Sequence, residues 1–195
     1  MSKSGKAALS SLVFLFLFQL SEFLICYGFN DKFWYLVGFI SITILPPLGL
    51  YMVSLITKKD LFVKFYTFLA FICVSILFFI NGAIEGASCP GNYVIFRGFS
   101  DELIYFYEIF YYSGLIFVIL EIMRAKRIFA GEPLKIKFLN WFLLGYLSFM
   151  IPTSILILIP PFNLSAIPSV LCGFAVIFAF ILTIKIVPIA KKLNI

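Results

Sequence analysis

The chain has 195 residues, 63% of them hydrophobic and 12% charged, and a mean hydropathy of +1.12. A water-soluble fold of this size would lack the polar surface to cover itself, so the composition excludes an ordinary soluble domain. The net charge of +6 does not point to nucleic acid, because the basic residues sit in short loops beside apolar segments. Anionic lipid headgroups are the expected partner.

Six apolar segments predict an all-α polytopic membrane helix bundle, a single integral-membrane domain over residues 1–195. The expected spans are about 7–29, 33–56, 61–83, 103–123, 138–159 and 166–187. The first follows Lys3 and Lys6. A cleaved signal peptide is the competing reading, but the run is long, contains Gln19 and Glu22, and lacks a small-x-small cleavage site. Asn30, Asp31 and Lys32 make a turn into the second span, where Pro46-Pro47 should bend or break the helix. The third span leads to a long loop, 84–102, rich in turn formers around Gly86, Cys89, Pro90, Gly91 and Gly98. Tyrosines at the start of the fourth span and Trp141 in the fifth fit interfacial aromatic belts. Pro160-Pro161 turns the chain into the sixth span, which Pro188 is expected to stop.

Charge orients this zigzag. Of fifteen lysines and arginines, all but Lys32 and Arg97 fall on one side: at the start, at 58–64, at 124–137 and at 185–192. Basic residues are retained on the cytoplasmic side during insertion, so both termini are expected inside, in the plasma membrane. The two three-helix halves then have opposite orientation, although no sequence repeat links them.

Ionisable groups within spans are the main chemical signal. Glu22 is expected about seven residues from the outer end of its span, roughly 10 Å deep, and Glu108 at a similar or shallower depth. A carboxylate there is expensive, so each should face the bundle interior or a watery cavity, or be protonated. Gln19, Glu22 and Cys26 share one helical face by spacing, and Tyr105, Glu108 and Tyr112 share another. Should those faces meet, the outer half encloses a polar pocket, with Asn81, Ser148, Thr153, Ser154, Ser169 and Cys172 at similar depths. The same residues could equally act as interhelical hydrogen-bond glue. Glu121, one turn from Arg124, is expected to form a local ion pair. Cys73 reads as a small apolar residue. Cys89 lies in the outer loop, where oxidation is permitted, with Cys26 or Cys172 as its partner if a disulfide forms.

The chain has no histidine, which removes the usual zinc ligand and the commonest general base. It also has no GxSxG, Walker, GxGxxG or paired CxxC motif. No metal or cofactor is expected, and the balance is against an enzyme.

The Gln19-Leu20-Ser21-Glu22 stretch, Pro46-Pro47 in the next hairpin, and Pro168-Ser169-Val170-Leu171-Cys172 in the last helix together resemble an uncharacterised multipass membrane family of bacteria and archaea. That family carries an early Gln-x-x-Glu and a late Ser-Val-Trp-Cys. Leu171 stands where the family has tryptophan, its early Cys-Phe-Ser segment is missing, and one initial helix is absent. The resemblance implies a multipass fold and directs attention to Gln19, Glu22, Ser169 and Cys172 without naming a reaction. Two functional classes follow. The first is a small transporter or binding protein for a small molecule, ion or lipid, with Glu22 and Glu108 as proton-linked or cation-binding groups. The second is a structural or accessory subunit, in homo- or hetero-oligomeric assembly, whose polar residues only set packing.

Overall fold

The computed structural model describes residues 3–28, 31–79, 86–89, 94–97, 101–157 and 167–193. The described residues are helical apart from one short ribbon and the turns between elements. In order come α1 (Lys3–Cys26), α2 (Lys32–Thr43), α3 (Leu45–Thr57), α4 (Leu61–Phe79), β1 (Gly86–Ser88), β2 (Ile95–Arg97), α5 (Asp101–Ile128), α6 (Pro133–Ile157) and α7 (Ile167–Ile181). A π-helical turn (Leu182–Ile186) then joins α7 to α8 (Val187–Leu193). Five helical stretches are long and apolar enough to cross a membrane: Lys3–Cys26, Lys32–Thr57, Tyr105–Ile128, Pro133–Pro152 and Gly173–Leu193. The apolar stretch Leu61–Ile76 of α4 is shorter.

Local chemistry explains the boundaries. Asp31 caps α2, its carboxylate accepting from the Phe33 N–H. Pro46 and Pro47 have no N–H to give to the preceding turn, so the second stretch breaks at Ile44 and restarts with proline in the first turn of α3. Leu48 N–H then bonds Ile44 O at 3.1 Å and the ladder resumes. Pro188 does not stop the last helix as the sequence reading expects. The π turn widens the ladder so that Val187 N–H reaches Leu182 O, and Pro188 falls in the first turn of α8, where its missing donor is harmless. Within the stretch expected as a loop of turn formers, β1 and β2 pair antiparallel with Ala87 opposite Phe96.

Five of the stretches close a ring. α1 packs on α2 and α3, α3 on α5, α5 on α6, α6 most extensively on α7, and α7 back on α1. α4 lies outside this ring, against α2 and α3 with lighter contact to α5, and presents Phe65, Phe68 and Phe79 outward. α5 touches it through polar groups: Tyr66 Oη donates to Ser113 Oγ at 3.0 Å.

The half of the ring nearest the chain ends is filled. Val118, Ile122, Ala125, Phe138, Leu139, Phe142, Leu182 and Ile186 are completely buried there in one continuous apolar cluster. Two glycines permit the closest approaches. Gly49 of α3 faces the Tyr146 ring and Val118, and Gly145 of α6 lies against the Phe178 ring. The same end carries the expected Glu121–Arg124 pair, at 3.5 Å.

Candidate functional site

The candidate acids lie at the opposite end, the one that the basic residues predict to face outward. On α1 the buried residues Ser4, Ala8, Ser11, Leu15, Phe18 and Ile25 repeat at alternating intervals of four and three, and position 22 completes that series. Glu22 therefore stands on the seam that α1 turns into the ring, not on a lipid-facing flank. Because α1 ends at Cys26 and not near 29, Glu22 is about one turn from the helix end, shallower than its expected depth. The Gln19 side-chain amide donates to Glu22 Oε2 at 2.9 Å.

On α5 the buried stripe is Tyr111, Leu115, Val118, Ile122 and Ala125, and the opposite face, with Ile109, Ile116 and Leu120, is exposed. Phe110, Ser113 and Phe117 meet Tyr66 of α4 along one edge of that stripe. Helical spacing puts Glu108 and Tyr112 on the other edge, toward α6. Glu108 sits about two turns into α5, deeper than Glu22 from its own end.

Glu22 Oε1, Glu108 Oε1 and Tyr112 Oη are buried and have no hydrogen-bonding partner among the described residues. Buried polar oxygens almost always have a partner, and leaving one without costs about 1–3 kcal/mol. Three such atoms, all on residues the sequence singles out, are the chemical signature of this end of the bundle.

Other expected associations change. Tyr105 is 56% exposed and does not join Glu108 and Tyr112 in the interior, because helical spacing carries it past them toward the exposed face of Ile109 and Ile116. The residue that α5 presents toward α2 is Tyr107. Its hydroxyl lies 3.1 Å from Thr43 Oγ1, which itself donates to Phe39 O at 2.6 Å, and its ring packs edge-on against Phe39. The sequence reading missed this contact, since Tyr105, Tyr107, Tyr111 and Tyr112 cover most directions of one helix and spacing alone cannot rank them. α1 and α5 share no extensive interface; both pack on the second stretch between them. Ser169 and Cys172 belong to α7 by backbone, and their side chains, with those of Asn81 and Thr153, lie outside the described residues.

Above the acids, Cys26 at the end of α1 is joined to Cys89 by a disulfide, with Cα atoms 5.6 Å apart. Of the two partners open for Cys89, it is Cys26. Ala87, Cys89 and Val94 of the ribbon region pack into a second apolar cluster with Ile25, Tyr35, Phe39 and Tyr107, and the Tyr35 hydroxyl is hydrogen-bonded to the backbone of Ala87. The ribbon is thus fixed against the C-terminal end of α1 and the N-terminal parts of α2 and α5. Cys73 is free and buried, as expected of a small apolar residue.

No family model, curated protein or solved structure matches the chain. The residues themselves carry the functional reading. Among the described residues no cluster of cysteine and carboxylate side chains has the makings of a metal site.

Proposed function

We propose that this is a six-span plasma-membrane protein, α4 being the third span, with both termini cytoplasmic. In this reading it binds or moves a proton or a small cationic solute through a polar pocket open to the outer face. Gln19 and Glu22 form one wall, Glu108 and Tyr112 the other, and Ser169 and Cys172 the approach from α7, in keeping with the resemblance to the uncharacterised multipass family. The carrying observation is the set of buried oxygens without a protein partner, Glu22 Oε1, Glu108 Oε1 and Tyr112 Oη. Acceptors of this kind suit a cation or a proton, and their burial on inward-facing positions makes them functional candidates by the ordinary logic of membrane carboxylates. The filled inner half favours entry from outside.

The orientation has two independent supports. One is the distribution of basic residues. The other is the Cys26–Cys89 bridge, which lies on the face with few basic residues, as expected where the compartment is oxidising.

A packing role is the second reading, and one observation favours it. Many hydroxyls in the bundle bond back to their own helix, as Ser21 Oγ does to Phe18 O at 2.7 Å and Ser41 Oγ to Val37 O at 2.6 Å, so they line nothing. The acids differ because their free oxygens make no such bond.

A hydrophobic carbodiimide separates the two. The pocket reading expects Glu22 or Glu108 to be modified in membranes, with protection by acid-independent addition of small cations, and expects labelling to vanish in Glu22→Gln/Glu108→Gln. Absence of labelling, together with full tolerance of both substitutions, would establish the packing role instead.

A further inference from the structure

The break at Ile44 leaves an apolar groove of about 480 Å³ between α2–α3 and α4. Its α4 wall is a single stripe, Val63, Thr67, Ala70, Phe71 and Val74, facing Ile44 and Pro47 among others across the groove. Thr67, the polar member of that stripe, turns its hydroxyl to Val63 O at 2.7 Å and so adds no free polar group. From Val63 to Val74 the stripe is roughly 16 Å long at 1.5 Å per residue, close to the ~15 Å half-thickness of a bilayer's hydrocarbon core.

The end of the groove is basic. Val63 also lines a small cavity beside Lys59 and Glu121, so the Val63 end of the groove is the end nearest the turn 58–60. Lys64 is already engaged by Asp60 at 2.7 Å, and that contact holds the Asp60 carboxyl below the usual carboxylate range. Glu121 is engaged by Arg124. Among the described residues Lys58 and Lys59 have no carboxylate partner, and both are exposed. Lys58 ends α3 in the left-handed conformation, at φ 56°, a position where glycine is the usual residue and a side chain is strained. A lysine kept there supplies charge where the backbone would favour none.

We infer that the groove between α2–α3 and α4 holds one acyl chain of an anionic glycerophospholipid whose phosphate is bound by Lys58 and Lys59. Groove length, apolar lining and basic terminus match the two parts of that molecule. The site is separate from the outer pocket, so either can fail without the other.

The test is native mass spectrometry of protein released from nanodiscs of equal phosphatidylglycerol and phosphatidylcholine. One phosphatidylglycerol per chain should be retained preferentially. Lys58→Gly and Lys59→Gln should each lower that retention about fivefold, as expected for one basic residue near an anionic surface, whereas Lys191→Gln/Lys192→Gln should not. Thr67→Trp, at an exposed wall position, should expel either lipid. Soluble glycerol phosphate should not compete, since it lacks the chain. Equal retention by all variants, equal loss in the 191/192 control, or a disulfide-linked dimer through Phe71→Cys, which would put a second copy in the groove, would each overturn the assignment.

Discussion

Cys26→Ser, Cys89→Ser and the double variant are expected to lower stability in detergent by the same amount, since all three remove one bond. Cross-linking residues 63 apart stabilises a free chain by about 4 kcal/mol through loss of unfolded-state entropy. Here the bilayer or micelle already confines the intervening α2, α3 and α4, so the expected loss is smaller, roughly 2 kcal/mol on the same scale. Reductant should shift the wild-type melting curve onto those of the variants and leave theirs unchanged. Additive losses from the two serine substitutions would mean that the cysteines act separately.

Gly49→Ala is expected to be as damaging, although it adds one methyl group. That carbon would stand 2.8 Å from Tyr146 Cζ and 3.1 Å from Val118 Cγ2, closer than packed atoms allow. Tyr146 cannot swing away, because it is buried against Phe142 and Phe178, so α3 must move off α5 and α6. Overpacking of this kind costs about 1–3 kcal/mol. Tyr146→Phe removes the hydroxyl that the new methyl meets first, and the double variant should recover part of the loss. Melting curves of the two single variants and the double variant close the cycle. Recovery of nothing would place the damage elsewhere than in this contact.

What could be read from the sequence is what short-range chemistry decides. Pro46-Pro47 breaks a helix wherever it stands, Asp31 caps the helix that follows it, and Glu121 finds Arg124 because both lie on adjacent turns of α5. Placement of each helix around the ring was not legible. In segments apolar on every side, the pattern distinguishing a lipid-facing leucine from a buried one is faint, which is why Tyr105 reads as an interior residue and Tyr107 is missed. α4 looks like any other span in sequence, and its peripheral position comes from the other five stretches closing without it. Pro188 is misjudged for a related reason: a π turn upstream reorganises the ladder, and no single residue announces it. The acids were legible as exceptions to an apolar background. What the fold adds is their direction, Glu22 on the buried seam of α1 and Glu108 on the α6 edge of α5, each with an oxygen left unpaired.

The proposed function has these two carboxylates lining a pocket reached from outside the cell. It is tested most directly by placing Glu22→Cys or Glu108→Cys in a chain that keeps the Cys26–Cys89 bridge and carries serine at Cys73 and Cys172. Intact cells are then treated with a small, charged, membrane-impermeant thiosulfonate. Modification of both engineered thiols from outside, slowed by the cation that protects against carbodiimide, is the predicted result. Thiols that stay inert in intact cells, or react only when the cytoplasmic face is opened, would contradict it.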